Sequence, residues 1–145
     1  MDQERFRALL PRADLAGIHR LPAANAGALR QAAESLNFAC FEIDLREAGL
    51  EAALKTLGER LGFPQWYGAN LDALRDCLAD FSWNEAPGYV LLLSRAGAPR
   101  GQDESFARLN GVFASVIREW RRRGVPFWVF HDSRADGLAP PPILA

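Results

Sequence analysis

The residues best placed to do chemistry are three aspartates, Asp72, Asp76 and Asp80, which follow two adjacent aromatics, Trp66 and Tyr67. At about 100° per residue, a helix aligns carboxylates at i, i+4 and i+8 in one row. That row falls nearly opposite an apolar stripe of Leu71, Leu74, Leu78 and Phe81, so all three carboxylates face solvent. Like charges at this spacing destabilise a helix by about 0.2–0.5 kcal/mol per pair, and the helix dipole disfavours an acid near the C-terminal end, where Asp80 stands. No Lys or Arg at i±4 neutralises the row, although Arg75 lies on its flank. A row that weakens its own helix is either a solvated face or a surface shaped for cations. Two features favour the second reading. Pro64 and Gly68 bracket a compact loop carrying Trp66 and Tyr67, and exposed rings often anchor protein partners. Aspartate is also short and rigidly presented on a helix, which suits pairing with a partner's Arg and Lys.

The other reactive side chains form no catalytic pattern. The two histidines, His19 and His131, belong to no HExxH or HxxxH pair. His131, beside Asp132, could be an oriented base, but a histidine at a strand end reads as a surface residue. Cys40 and Cys77 form no CxxC pair, and Cys77 beside the apolar stripe reads as a buried, inert thiol. No GxGxxG, GxxxxGK or GxSxG motif is present. No catalytic residue, metal ligand or cofactor is therefore expected. The one basic run, Arg121-Arg122-Arg123, suits the last turn of a helix, where cations complement the dipole. Without interleaved aromatics, and with 17 Lys and Arg against 18 Asp and Glu, it predicts no direct nucleic-acid binding.

These residues must be positioned by one domain. The chain has 145 residues, 49% hydrophobic and 24% charged, with a net charge of -1, as in an ordinary globule. The longest strictly apolar run is Tyr89 to Leu93, too short for a membrane span. The charged first twenty residues do not read as a secretory signal, and the cysteine usage fits the cytoplasm.

The pattern predicts strands over residues 16–21, 38–45, 89–93 and 127–130. Helices are expected from an Asn25 cap to Leu36, over Leu50 to Leu61 with a stop at Gly62, from an Asn70 cap to Phe81, and from Ser105 to Trp120. Residues 97–104 read as a polar loop and residues 139–145 as a frayed Pro-rich tail. Alternation of this kind implies an α/β fold, a small, mainly parallel sheet of three to four strands covered by helices.

The stretch LGFPQWYGANLDALRDCLADF strongly resembles the barstar family, cytoplasmic inhibitors of secreted barnase-type ribonucleases. The shared pattern is Pro, two aromatics, then Gly-x-Asn-Leu-Asp-Ala-Leu-x-Asp-Cys-Leu, and the agreement in element order runs from about Phe38 to Phe130. The resemblance implies a barstar-like core over residues 38–135, preceded by an extension over residues 1–37 (a strand plus a helix packed on the same domain) and followed by a tail over residues 136–145. It implies that Asp76 is the central carboxylate entering a nuclease active site in place of an RNA phosphate, with Asp72 as the second. Trp66 would stack on the enzyme, Tyr67 would belong to the same partner-binding surface, Gly68 and Asn70 would shape the loop, and Glu119 would be a peripheral contact. Arg75, where the family pattern has tryptophan, would adjust partner choice, Asp80 stands in the partner-binding row where the pattern has glycine, and Ala69 stands where it has an acid. The implied partner is a basic extracellular-type ribonuclease, or a related delivered toxin for which the chain is the immunity protein. Binding would be by a cytoplasmic monomer in a 1:1 complex.

Overall fold

A computed structural model describes residues 3–45, 49–94, 103–132 and Pro141, with only the backbone of residues 103–106. The elements are helix α1 (Gln3–Leu9), strand β1 (Ile18–Arg20), a 3-10 turn (Ala23–Asn25), α2 (Ala26–Ser35), β2 (Ala39–Asp44), α3 (Leu50–Leu61), α4 (Leu71–Asp80), β3 (Tyr89–Ser94), α5 (Asp103–Arg122) and β4 (Phe127–His131). The four strands form one wholly parallel sheet in the order β1-β4-β3-β2. An α/β fold with a small parallel sheet is thus observed.

The central strands explain the order. Every residue of β4, and every residue of β3 except Ser94, is buried, as expected where helices cover both faces of a parallel sheet. The flanking strands β1 and β2 are only partly buried and form the edges. On α5, Leu109, Phe113, Val116 and Trp120 pack inward, and the Trp120 indole N–H donates to the Leu78 carbonyl at 2.9 Å, joining α5 to α4. The expected partner of this stripe, the Phe106 side chain, lies outside the described residues, as do most of the 97–104 loop and of the tail.

Three local differences from the sequence reading have clear causes. Residues 3–9 form a helix where only a polar start was expected, because Phe6, Leu9 and Leu10 bury one side of it. The buried Trp128 indole then donates to the Leu10 carbonyl at 2.9 Å, satisfying a group the helix end leaves open. Asn25 occupies the N-cap of α2 without a side-chain capping bond, since the 3-10 turn already fills that role. His131, expected at the surface, is instead buried at 1% exposure, with its Nε2 3.0 Å from Asn110 Oδ1. Strand β4 runs through it, and its backbone pairs with both neighbours.

Phe81 shows what terminates α4. It sits just past the helix in the left-handed region at φ 46°, which is strained for a bulky residue. The compensation is its ring, fully buried and stacked on Tyr89 at 4.8 Å and Phe41 at 6.0 Å. Removing the ring in Phe81→Ala should lower stability by about 3–5 kcal/mol. Phe81→Gly should be milder by roughly 1 kcal/mol, although it removes one more carbon, because glycine carries no left-handed penalty. Urea unfolding of both variants checks this, and a glycine variant less stable than the alanine variant contradicts the strain argument.

Candidate interaction surface

The loop over residues 62–70 and helix α4 place the predicted site residues on one surface. Helix α3 ends on Gly62 at φ 69°, the left-handed stop that its glycine permits. Across the loop, Asn70 caps α4 by accepting the Ala73 N–H on its Oδ1 at 2.8 Å. Gly68 makes room for that cap, since a Cβ there would lie 3.1 Å from the Asn70 amide nitrogen.

The two adjacent aromatics divide their roles. Trp66 is 61% exposed, the most exposed large apolar side chain among the described residues. Tyr67 turns inward instead. Its hydroxyl donates to the Leu54 carbonyl of α3 at 2.7 Å, and its ring meets Phe63 edge-on at 4.8 Å. Gly58 permits this approach, because a Cβ at that position would fall 2.5 Å from the tyrosine ring. Tyr67 is therefore the bolt that fixes the loop, and Trp66 is the ring the loop presents.

On α4 the apolar side is buried through Ala73, Leu74, Cys77 and Leu78, while Asp72, Asp76 and Asp80 are exposed. Among the described residues no cation pairs with any of the three. Asp80 accepts the Ser82 hydroxyl at 3.1 Å, a local bond near the helix end that offsets its unfavourable place in the dipole. Arg75 is exposed but leans away towards α5, donating from Nε to the Ser115 hydroxyl at 2.9 Å. Glu119 of α5 is engaged at the end of its helix, with Arg122 at 3.3 Å and Arg123, just past the last turn, at 3.1 Å. Arg123 also donates to the Ala79 carbonyl at 2.7 Å, closing the C-terminal end of α4, and its guanidinium lies 4.5 Å from the Trp120 ring centre. Arg121 donates to the carbonyls of Ala13 and Ala16. The basic run is thus spent on internal contacts.

Gly58 and Ser115 were not singled out from the sequence, yet each supports the surface. A glycine inside a helix costs about 1 kcal/mol against alanine, and that cost was the available signal of a close approach. Ser115 gave no comparable sign.

Among the described residues no cluster of three or more His, Cys, Asp or Glu could hold a metal ion, and no helix is long and apolar enough to cross a membrane. Burial pushes the Cys77 thiol up to about 11, with Asp76 and Asp80 adding to it, and burial raises Cys40 to about 11 and the Tyr67 hydroxyl to about 12. The shifts are upward, away from the lowered thiol pKa that marks a reactive cysteine.

Two consequences are measurable. In the unfolded chain the thiols ionise near 9, whereas the fold holds them neutral to about 11, so stability is intact below pH 9 and falls from there towards pH 11. Urea midpoints from pH 7 to pH 11 check the window, and a flat profile across it contradicts the burial argument. Gly58→Ala should displace Tyr67 and cost about 1–3 kcal/mol through overpacking, and a variant as stable as the wild type would show that the tyrosine is not closely seated.

The family described as Barstar (barnase inhibitor) matches residues 38–132, a span that contains the loop, α4 and Glu119. Comparison with curated proteins gave no match. With four parallel strands, the helices that cover them and this match over well more than half its length, the chain belongs to the barstar family.

Proposed function

We propose that this protein inhibits a barnase-like ribonuclease inside the producing cell, closing the enzyme's active site with α4 and the loop before it. The observation that carries this reading is that Asp72 and Asp76 stand exposed on a braced helix without an ionic partner among the described residues, beside an exposed Trp66. They lie in the part of the chain that matches a family described as barnase inhibitors.

An active site that binds RNA phosphate must present cations, and a carboxylate can take the place of the phosphate by accepting the same charge-assisted hydrogen bonds. Asp76 is the central acceptor and Asp72 the second. Two unit charges about 4 Å apart attract by about 1 kcal/mol in water and about 4 kcal/mol near a protein surface, so water exclusion by Trp66 strengthens the contact. Gly68, Asn70 and Tyr67 hold the loop in shape, and Glu119 and Asp80 lie at the periphery.

This is binding rather than turnover. His131 is buried against Asn110, and the Cys77 thiol is held protonated. The complex forms between one copy of each protein, in the cytoplasm, without a cofactor, nucleic acid or membrane. Residues 1–37 are the extension to the barstar-like core, and its described part, from residue 3, packs on that core.

Arg75 supports a second reading, in which the same surface serves as the immunity determinant against a different delivered toxin. Its charge discourages cations at one flank and favours a partner with an acid there.

Titration of purified protein into a panel of barnase-type ribonucleases tests the proposal. At least one should be inhibited at 1:1 stoichiometry, and Asp76→Ala should weaken that complex by about 2–4 kcal/mol or more, the range of an interface hot spot. Asp72→Ala should cost less. Unchanged affinity in Asp76→Ala rejects the mechanism, and failure to inhibit any member favours the different-toxin reading.

A further inference from the structure

Beside the acidic row lies an open groove of about 570 Å³ between the first turn of α3 and the first turn of α4. Leu50, Leu54, Ala69 and Leu71 line it, and Glu51 and Asp72 stand at its rim. We infer that this groove is a specificity subsite that receives an apolar side chain of the nuclease neighboured by a Lys or Arg. The inference rests on the inhibitor reading above and adds α3 to the surface that reading uses.

The groove is continuous with the proposed interface, because Asp72 borders both. It is also preformed. The Tyr67 hydroxyl holds the loop to the Leu54 carbonyl on its inner side, so no chain ordering is needed to open it. Ala69 keeps it open. This residue adopts φ 53°, a conformation in which Gly or Asn is the ordinary choice. An alanine there has no backbone advantage over those two. It does leave a small apolar wall where a longer side chain would occupy the space.

Charge decides the occupant. Two helix N-termini meet at the groove, each equivalent to about half a positive charge, while Glu51 and Asp72 contribute a full negative charge each. The rim therefore remains negative by about one unit in sum. Lys55, one turn further along α3, is exposed, and no ion pair joins it to Glu51. A second copy of this chain would bring two acidic rims together, and an anionic membrane would be repelled. An apolar side chain flanked by a cation satisfies both the walls and the rim.

The test uses a barnase-type ribonuclease that the wild type inhibits, with stopped-flow association and dissociation rates measured for Glu51→Lys, Ala69→Asn and Asp76→Ala. Glu51 is exposed, so its reversal leaves the fold intact, and Asn tolerates the left-handed backbone at position 69 while filling the groove. Glu51→Lys and Ala69→Asn should each raise Kd tenfold or more. The first should act partly on association and lose part of its effect at high salt, and the second should act on dissociation at any salt. If Asp76→Ala weakens the complex while both groove variants stay within twofold of wild type, the subsite is refuted and the inhibitor reading stands. If Asp76→Ala has no effect, both are refuted.

Discussion

Burial of one side of α4 holds its other side in place. A helix of ten residues is marginal on its own in water, and a row of like charges makes it weaker. What fixes it is tertiary. Leu74, Cys77 and Leu78 are fully buried, the Trp120 indole bonds to the Leu78 carbonyl, and the Arg123 guanidinium closes the Ala79 carbonyl. Past the last turn, Phe81 accepts a strained backbone to bring its ring into the stack with Tyr89 and Phe41. The electrostatic cost of the aspartates is therefore borne by packing on the opposite side, which holds the carboxylates in one arrangement on the exposed face.

The loop follows the same logic with different chemistry. Trp66 can stay exposed because Tyr67, its neighbour in sequence, is bolted to α3 through the Leu54 carbonyl. Tyr67, seated against Gly58 and bonded to Leu54, and Asn70, bonded to Ala73, fix the nine-residue connection at two points. Loops that carry binding residues are commonly positioned by a rigid scaffold, and here the scaffold is one tyrosine ring seated against a glycine.

Much of this was legible in the sequence because periodicity reports burial. The spacing of Leu54, Leu57 and Leu61 specified α3 and its Gly62 stop, and the unbroken run at Tyr89 to Leu93 specified a central parallel strand. Opposition of the aspartates to Leu74 and Leu78 followed from the same rule. What the periodicity could not show was contact between distant residues. The amphipathic side of α1 rests on Phe6, Leu9 and Leu10, a signal too short to stand out among the charges around it. Burial of His131 depends on β1 pairing beside β4 and on Asn110 of α5 reaching its ring, neither of which is a local property. The different fates of Trp66 and Tyr67 were hidden for the same reason, since both are aromatic and only α3 distinguishes them.

The near-zero net charge is best understood by asking which charges are already committed. Arg12 and Arg30 pair with Asp14 and Glu42, Arg122 and Arg123 share Glu119, Arg121 serves the carbonyls of Ala13 and Ala16, and Arg75 serves Ser115. Many of the described arginines are thus engaged within the fold, and Arg123 also closes the end of α4. Asp72 and Asp76 have no such commitment among the described residues. A sum of -1 accordingly conceals an unequal division, in which many cations stabilise the molecule and two neighbouring anions on α4 remain available to another one. Local potential rather than total charge governs steering at short range, because charges beyond about 10 Å are screened at ordinary ionic strength. A chain can therefore be electrically unremarkable as a whole and still carry a locally acidic surface.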